Sequence, residues 1–342
     1  MTAFRNLRRS SPFLAASVVL AVAAFSASAQ APQTTPARAP AAPAPQQPAP
    51  QQPASQEPST DGPITTLKAR VLEVNLIFTV TDKHGHFIKD LRQQDFGLLD
   101  DRKRPESVIR FTQQTNLPLR VGVMLDTSSS IRRRFQFEQQ AASEFFTQVL
   151  HRNDRAFVEG FDIQTDMAQG FTNNPALLGV GIDKLRPGGG TALYDALYKT
   201  CRDEMLTIRE EGSTRKAIVL VSDGDDNYSR ALESDAIKMC QRAETIVYAI
   251  STNVSLNKDK GDDVLKAIAE ATGGTAFYPA RIEDVAVGFR NIEEELRSQY
   301  SLEYKPSDFK TDGSFRTIYL HAIDPRYVVR ARTGYFAPRA DQ

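Results

Sequence analysis

Between residues 119 and 297 the chain alternates short, almost wholly apolar runs with longer stretches whose apolar residues return every three or four positions. Residues 119–125 read as a near-continuous apolar strand, followed by a helix over 131–150 that buries Phe135, Ala142, Phe145, Phe146 and Val149. Strands are expected at 155–161 and 167–171, a helix at 193–208, a strand at 216–221, a helix at 231–242 and a strand at 245–250. A helix over 262–271, a strand over 274–278 and a helix over 282–297 complete the series. Strands apolar on both faces need cover on both sides, and intervening helices supply it. The pattern therefore predicts an α/β fold with a doubly wound, mostly parallel, Rossmann-like sheet. Such sheets take ligands at the carboxyl ends of their strands, near the point where strand order reverses.

The segments on either side follow a different rhythm. Val71, Val74, Leu76, Phe78 and Val80 largely alternate with polar neighbours, and Asp82, Lys83, His84 and Gly85 then supply a turn. His84 and His86 flank Gly85 and read as turn residues rather than ligands. Short strands and tight turns continue to Phe111, and the same grammar returns at 300–304, 315–323, 327–331 and 333–336. Neither end has enough strands for an independent sandwich. Pairing them gives one small antiparallel β domain built from 64–117 and 298–342, with the α/β body at 118–297 inserted into it.

Ahead of this, Arg5, Arg8 and Arg9 precede an apolar run over 12–25 and the Ala27, Ser28, Ala29 cleavage pattern, which reads as a signal peptide over 1–29. Ten of the 19 prolines fall between Pro32 and Pro63, so 30–63 has almost nothing to build a core from and reads as a disordered Pro/Ala/Gln-rich linker. No later stretch is long and apolar enough to cross a bilayer, so the mature chain is expected to lack a transmembrane segment and to be periplasmic or extracellular. Without the leader the chain holds 39 basic and 42 acidic residues, which argues against nucleic acid as a partner. Two cysteines and four histidines without CxxC or HExxH spacing leave little room for a zinc site.

The chemistry-bearing residues fall at the strand ends. Asp126, Ser128 and Ser130 follow the first strand of the body on one loop, Ser222, Asp223 and Gly224 follow the strand at 216–221, and Gly188, Gly189 and Gly190 deliver Thr191 just before a helix. Two carboxylates and three hydroxyls with no soft ligand suit a hard divalent cation, Mg²⁺ by preference, with Ca²⁺ or Mn²⁺ as alternatives. Ser and Asp are also good helix caps, so the first loop has a structural reading as well. Capping would not call for Thr191 and Asp223 at the same edge. Asp225 and Asp226 read as solvated loop acids, and Arg132 to Arg134 as a solvated helix face that would also steer an acidic partner.

Asp126, Ser128, Ser130, Thr191 and Asp223 together resemble the metal-ion-dependent adhesion site of the von Willebrand factor type A (VWA) domain, a D-x-S-x-S loop with a separate Thr and a separate Asp. The resemblance covers roughly 118–297. The flanking β segments and the closing stretch from Ala331 to Pro338 also look like a VWA-related family described from acidobacterial proteomes, whose members are mostly secreted. The resemblance implies a metal at these five residues whose open coordination position is filled by an acidic residue of a protein partner. It further implies that the Thr191 loop is the moving part and that its shift couples to the last helix of the body. A structural envelope module whose metal only stiffens loops is the rival reading, and a metal-dependent phosphatase-like enzyme a more distant one. Ser128 stands where such phosphatases carry a second Asp, and a Ser hydrolase would need a late His, for which only His321 is present. No enzyme activity is therefore expected. Cys201 and Cys240 lie on helices that right-handed crossovers place side by side, which leaves either a disulfide or two buried thiols.

Overall fold

The computed structural model describes residues 73–114, 117–132, 134–208, 214–253 and 259–339. The expected signal peptide and linker, Val71 and Arg133 lie outside the described residues.

The chain enters through β1 (Val74–Asp82), β2 (Phe96–Asp100) and β3 (Ser107–Gln114). The α/β body follows as β4 (Leu119–Asp126), α1 (Phe135–Val149), β5 (Arg155–Phe161), β6 (Thr165–Thr172), α2 (Pro175–Lys184) and α3 (Leu193–Thr200). It continues through β7 (Arg215–Ser222), α4 (Glu233–Arg242), β8 (Thr245–Ser251), α5 (Lys260–Thr272), β9 (Ala276–Phe277) and α6 (Val285–Leu296). The last strands are β10 (Gln299–Lys305), β11 (Phe315–Ala322), β12 (Tyr327–Ala331) and β13 (Gly334–Phe336).

The body holds a six-stranded sheet in the order β6-β5-β4-β7-β8-β9, parallel except where β6 turns back antiparallel on β5. Every residue of β4 is buried, as a central strand covered on both faces must be. Val121, Val123 and Leu125 face a core shared with α1, α2 and α6, where Phe145 meets Phe289 at 5.0 Å between ring centres. Met124 faces the other side, with Phe157, Ile218, Leu220 and the apolar stripes of α3, α4 and α5. Gly122 is required in β4, because a Cβ there would come within 2.2 Å of the Phe157 ring. Cys201, where α3 passes into a wider helical turn, is disulfide-bonded to Cys240 of α4, with Cα atoms 5.0 Å apart.

Both ends of the folded chain form the antiparallel part. One sheet runs β12-β1-β10-β3 and the other β13-β11-β2, so strands from before and after the body pair directly. Phe78, Tyr300, Leu302, Ile318 and Leu320 pack between the two sheets. Asp100 is the polar hub of this core. Its carboxylate takes the hydroxyls of Tyr304 and Tyr335, each at 2.8 Å, and an ion pair from Arg316 at 2.7 Å.

Three local expectations need correction. α1 begins at Phe135, because residues 129–131 form a separate short turn held by the Ser129 N–H donating to the Gly189 carbonyl at 3.2 Å. The helix from Leu193 is regular only to Thr200, then widens over Cys201–Met205. α2 was not expected at all. Gly179 and Gly181 dilute its pattern, and Gly181 is needed for contact with β6, where a Cβ would meet the Gln169 Cβ at 2.7 Å. The signals that would have found it are Asn174, whose side chain accepts from the Ala176 N–H, and Pro175 at the first turn.

Candidate metal centre

β4 has its parallel neighbours β5 and β7 on opposite sides, and β7 leads on to β8 while β5 leads to the other edge. The carboxyl end of β4 is therefore the point where strand order reverses, and Asp126 is its last residue. The following backbone folds back on the Asp126 side chain, whose Oδ1 accepts from the Ser128 N–H at 2.8 Å. Its Oδ2 accepts from the Ser222 hydroxyl at 2.7 Å, which ties the end of β4 to the end of β7. Ser128 Oγ lies 2.9 Å from Ser130 Oγ, and the Ser130 hydroxyl donates to Asp223 Oδ2 at 2.8 Å. Ser128, Ser130 and Asp223 thus form a continuous run of oxygens joining loops 93 residues apart. The short turn after Ser128 receives no side-chain cap from it, nor does α1 from Arg134. The Ser128 and Ser130 hydroxyls run toward Asp223 instead of the helix.

The third loop is fastened to the other two. The Gly189 carbonyl accepts from the Ser129 hydroxyl at 2.9 Å, and the Gly188 N–H donates to the Thr127 carbonyl at 2.6 Å. The Thr191 N–H donates to Asn227 Oδ1 at 2.9 Å, and the Thr191 carbonyl accepts from the Asn227 and Tyr228 N–H groups, each at 3.0 Å. Asp126, Ser128 and Thr191 are buried, whereas Ser130 is exposed and Asp223 half-buried, so the set opens to solvent on the Ser130 side. Gly224 allows the turn after Asp223. Its φ is +81°, and a Cβ there would meet the Gly261 carbonyl oxygen of α5 at 2.2 Å.

Electrostatics strain this arrangement. Burial pushes the Asp126 carboxyl up to about 6, against the opposing pull of the Ser222 and Ser128 hydrogen bonds and with help from the charge of Asp223. Glu138 of α1, also fully buried, has both carboxylate oxygens without a hydrogen-bond partner among the described residues. Burial and the charges of Asp126 and Asp223 push it up to about 8, with Arg134 opposing. Among the described residues, no ion pair engages Asp126, Asp223 or Glu138. Nor is there, among them, a cluster of three or more His, Cys, Asp or Glu side chains arranged as a metal cage. A cation here would be held by two carboxylates and by hydroxyls, an all-oxygen set suited to a hard divalent ion.

Sequence reasoning missed several supporting residues. Ser222 enters the sequence reading only as the neighbour of Asp223, and neither Asn227 nor Glu138 is singled out there. Asp226, read as a solvated acid, instead accepts from the N–H groups of Tyr194 and Ser229, each at 3.1 Å, and so pins the loop that carries Asn227. Asp225 is exposed, as expected. His84 and His86 do lie in the turn after β1, both donating backbone N–H groups to Asp82.

Among solved structures with a similar fold are a von Willebrand factor type A protein from Catenulispora acidiphila and the conserved hypothetical protein BatB from Bacteroides thetaiotaomicron. The first is 14% identical over 72% of this chain and 74% of its own, with a TM-score of 0.46. The second is 14% identical over 53% of this chain and 100% of its own, with a TM-score of 0.43. Proximal thread matrix protein 1 from the mussel byssus, solved with a zinc-occupied MIDAS motif, is 16% identical over 58% of this chain and 50% of its own, with a TM-score of 0.47. No curated protein matches the chain. Residues 121–225, which include Asp126, Ser128, Ser130, Thr191 and Asp223, match the family model of the von Willebrand factor type A domain, and the α/β body has the fold of that type.

Proposed function

We propose that this chain is a divalent-metal-dependent protein-binding module, with the ion held by Asp126, Ser128, Ser130, Thr191 and Asp223. The observation that carries the reading is the hydrogen-bonded run from Ser128 through Ser130 to Asp223 beside the twice-anchored Asp126. The Thr191 loop supports it through its backbone bonds to Asn227 and Tyr228 beside this run, and among the described residues no ion pair engages Asp126 or Asp223. An ion bound there would offer an open position to an acidic residue of a protein partner. Ser130 and Asp223 lie on the side open to solvent, where such a residue would arrive. The donor set favours Mg²⁺, with Ca²⁺ or Mn²⁺ also compatible. Asn227 and Asp226 would hold the Thr191 loop in register with Asp223, the loop whose shift would couple to α6.

The function needs no catalytic group. His321, the only late histidine, lies on β11 of the antiparallel part, against Gly97. The leader pattern at 1–29 and the Cys201–Cys240 bond both fit export to an oxidising compartment. Among the described residues, no helix is long and apolar enough to cross a membrane.

The test is Mn²⁺ binding followed by electron paramagnetic resonance, with Mg²⁺ as competitor, on the wild type and Asp126→Ala, alongside capture of envelope or secreted proteins with and without EDTA. Saturable binding lost in Asp126→Ala, together with EDTA-sensitive capture, is expected. Capture that survives both treatments refutes metal-mediated binding.

A further inference from the structure

The opposite edge of the parallel sheet holds a cavity of about 60 Å³, enclosed by the starts of β7 and β8, the end of α6 and the β1 and β10 strands. Arg215, Arg332 and Gln299 line it, and they are 2%, 8% and 1% exposed. Each presents an atom without a hydrogen-bond partner among the described residues, namely Arg215 Nε, Arg332 Nε and Gln299 Oε1. Leaving such atoms unpaired is costly, and three of them on one cavity lining imply that something occupies it.

The charge says what kind of occupant. Arg215 donates its terminal nitrogens only to carbonyls, those of Leu296 and Leu117. No carboxylate pairs with it among the described residues, and the nearby Asp154 is engaged by Arg297 at 2.6 Å. Arg332 donates to the Asn75 carbonyl at 2.9 Å and pairs at 3.2 Å with Glu244, whose side chain is 62% exposed. Of the two buried arginines in the lining, Arg332 has Glu244 as counter-ion and Arg215 has none among the described residues. Water would satisfy the free N–H groups but would leave the buried Arg215 charge without a counter-ion. Gln299 Nε2 donates to the Tyr248 hydroxyl at 3.2 Å, and turning the amide over would exchange that contact for an acceptor one while presenting a third donor to the cavity.

We propose that this cavity binds a small oxyanion of the phosphate or carboxylate type, held by the Nε–H groups of Arg215 and Arg332 with the Gln299 amide turned to donate. The volume holds about four waters, and so admits one such group. Because Arg215 lies on β7 while Gln299 and Arg332 belong to the antiparallel part, the anion would clamp the body to its neighbouring sheet.

The test uses the full chain in EDTA, which keeps anions off any metal at Asp126. Thermal unfolding is followed at constant ionic strength while chloride is exchanged for inorganic phosphate or, separately, for acetate. A saturable rise in Tm with either ion is expected. A rise with phosphate alone assigns a phosphate-type ligand, and a rise with acetate alone a carboxylate. Glu244→Gln removes the carboxylate that competes for Arg332 and, being exposed, spares the fold; it should tighten the apparent Kd up to about fivefold, the scale of an exposed ion pair. Arg332→Gln should abolish the saturable shift while leaving the circular dichroism spectrum unchanged. No shift beyond that of chloride with either ion, or an unchanged Kd in Glu244→Gln, overturns the proposal and leaves the cavity to water.

Discussion

Glu138→Gln is the substitution whose sign is least intuitive, because it should stabilise a site by removing one of its acids. The wild-type carboxyl titrates near 4.5 in the unfolded chain and is pushed up to about 8 in the fold. With the folded pKa above the unfolded one, the contribution to stability is fully present below pH 4.5 and is lost as pH rises through 8. Each unit is worth about 1.4 kcal/mol, so retaining the proton at pH 7 costs about 3 kcal/mol, rising toward about 5 kcal/mol above pH 8. Gln keeps the shape and has nothing to ionise. In EDTA, Glu138→Gln should therefore match the wild type near pH 4.5 and exceed it by about 3 kcal/mol at pH 7, with a flatter pH profile. Urea denaturation followed by circular dichroism from pH 4.5 to 9 reads the difference directly. If Glu138→Gln is the less stable protein at pH 7, or keeps the wild-type pH slope, the account of Glu138 as a proton-holding, unpaired acid is wrong. Saturating Mg²⁺ should narrow the gap, since a cation among these acids favours the ionised form of Glu138.

The other predictions concern the supports of the fold and the site. Replacing both Cys201 and Cys240 by Ala opens a loop spanning 39 positions and should lower the unfolding free energy by about 4 kcal/mol, read by urea titration; a loss under about 1 kcal/mol would mean that the unfolded chain is already constrained there. Asp100→Asn strands the Arg316 guanidinium, which is 2% exposed, and should cost about 3 to 5 kcal/mol, whereas Tyr304→Phe removes one hydrogen bond and should cost about 1 kcal/mol; equal costs would contradict the ion pair as the centre of that core. Gly224→Ala meets both a φ of +81° and the Gly261 carbonyl, so the Asp223 loop must move; Mn²⁺ affinity is expected to fall at least about tenfold, equivalent to about 1.4 kcal/mol, and retention of full affinity would detach Asp223 from the metal reading.

What could be read from the sequence and what could not separates along the range of the interactions. Strands such as β4, apolar on both faces, announce a sheet covered on both sides, and a carboxylate at the end of such a strand announces where chemistry gathers, because both signals are local. α2 escaped because Gly179 and Gly181 dilute its pattern, and Gly181 serves a contact with β6 that no local pattern encodes. The Arg215 cavity could not be seen at all, since its lining comes from β1, β7, β8, β10 and the turn at Arg332, and each arginine looks solvated when read alone. Glu138 is the instructive case between these. It falls three positions after Phe135 and three and four before Ala141 and Ala142, squarely on the stripe that α1 buries. An acid on a core-facing stripe is a local contradiction between pattern and chemistry, and such contradictions collect where a chain keeps an unfavourable group for use. Here the acid lies close enough to feel both Asp126 and Asp223. The polar intruder on an apolar face is therefore as informative about the site as the D-x-S-x-S loop, because a chain that only needed a core would have placed a hydrophobic residue there.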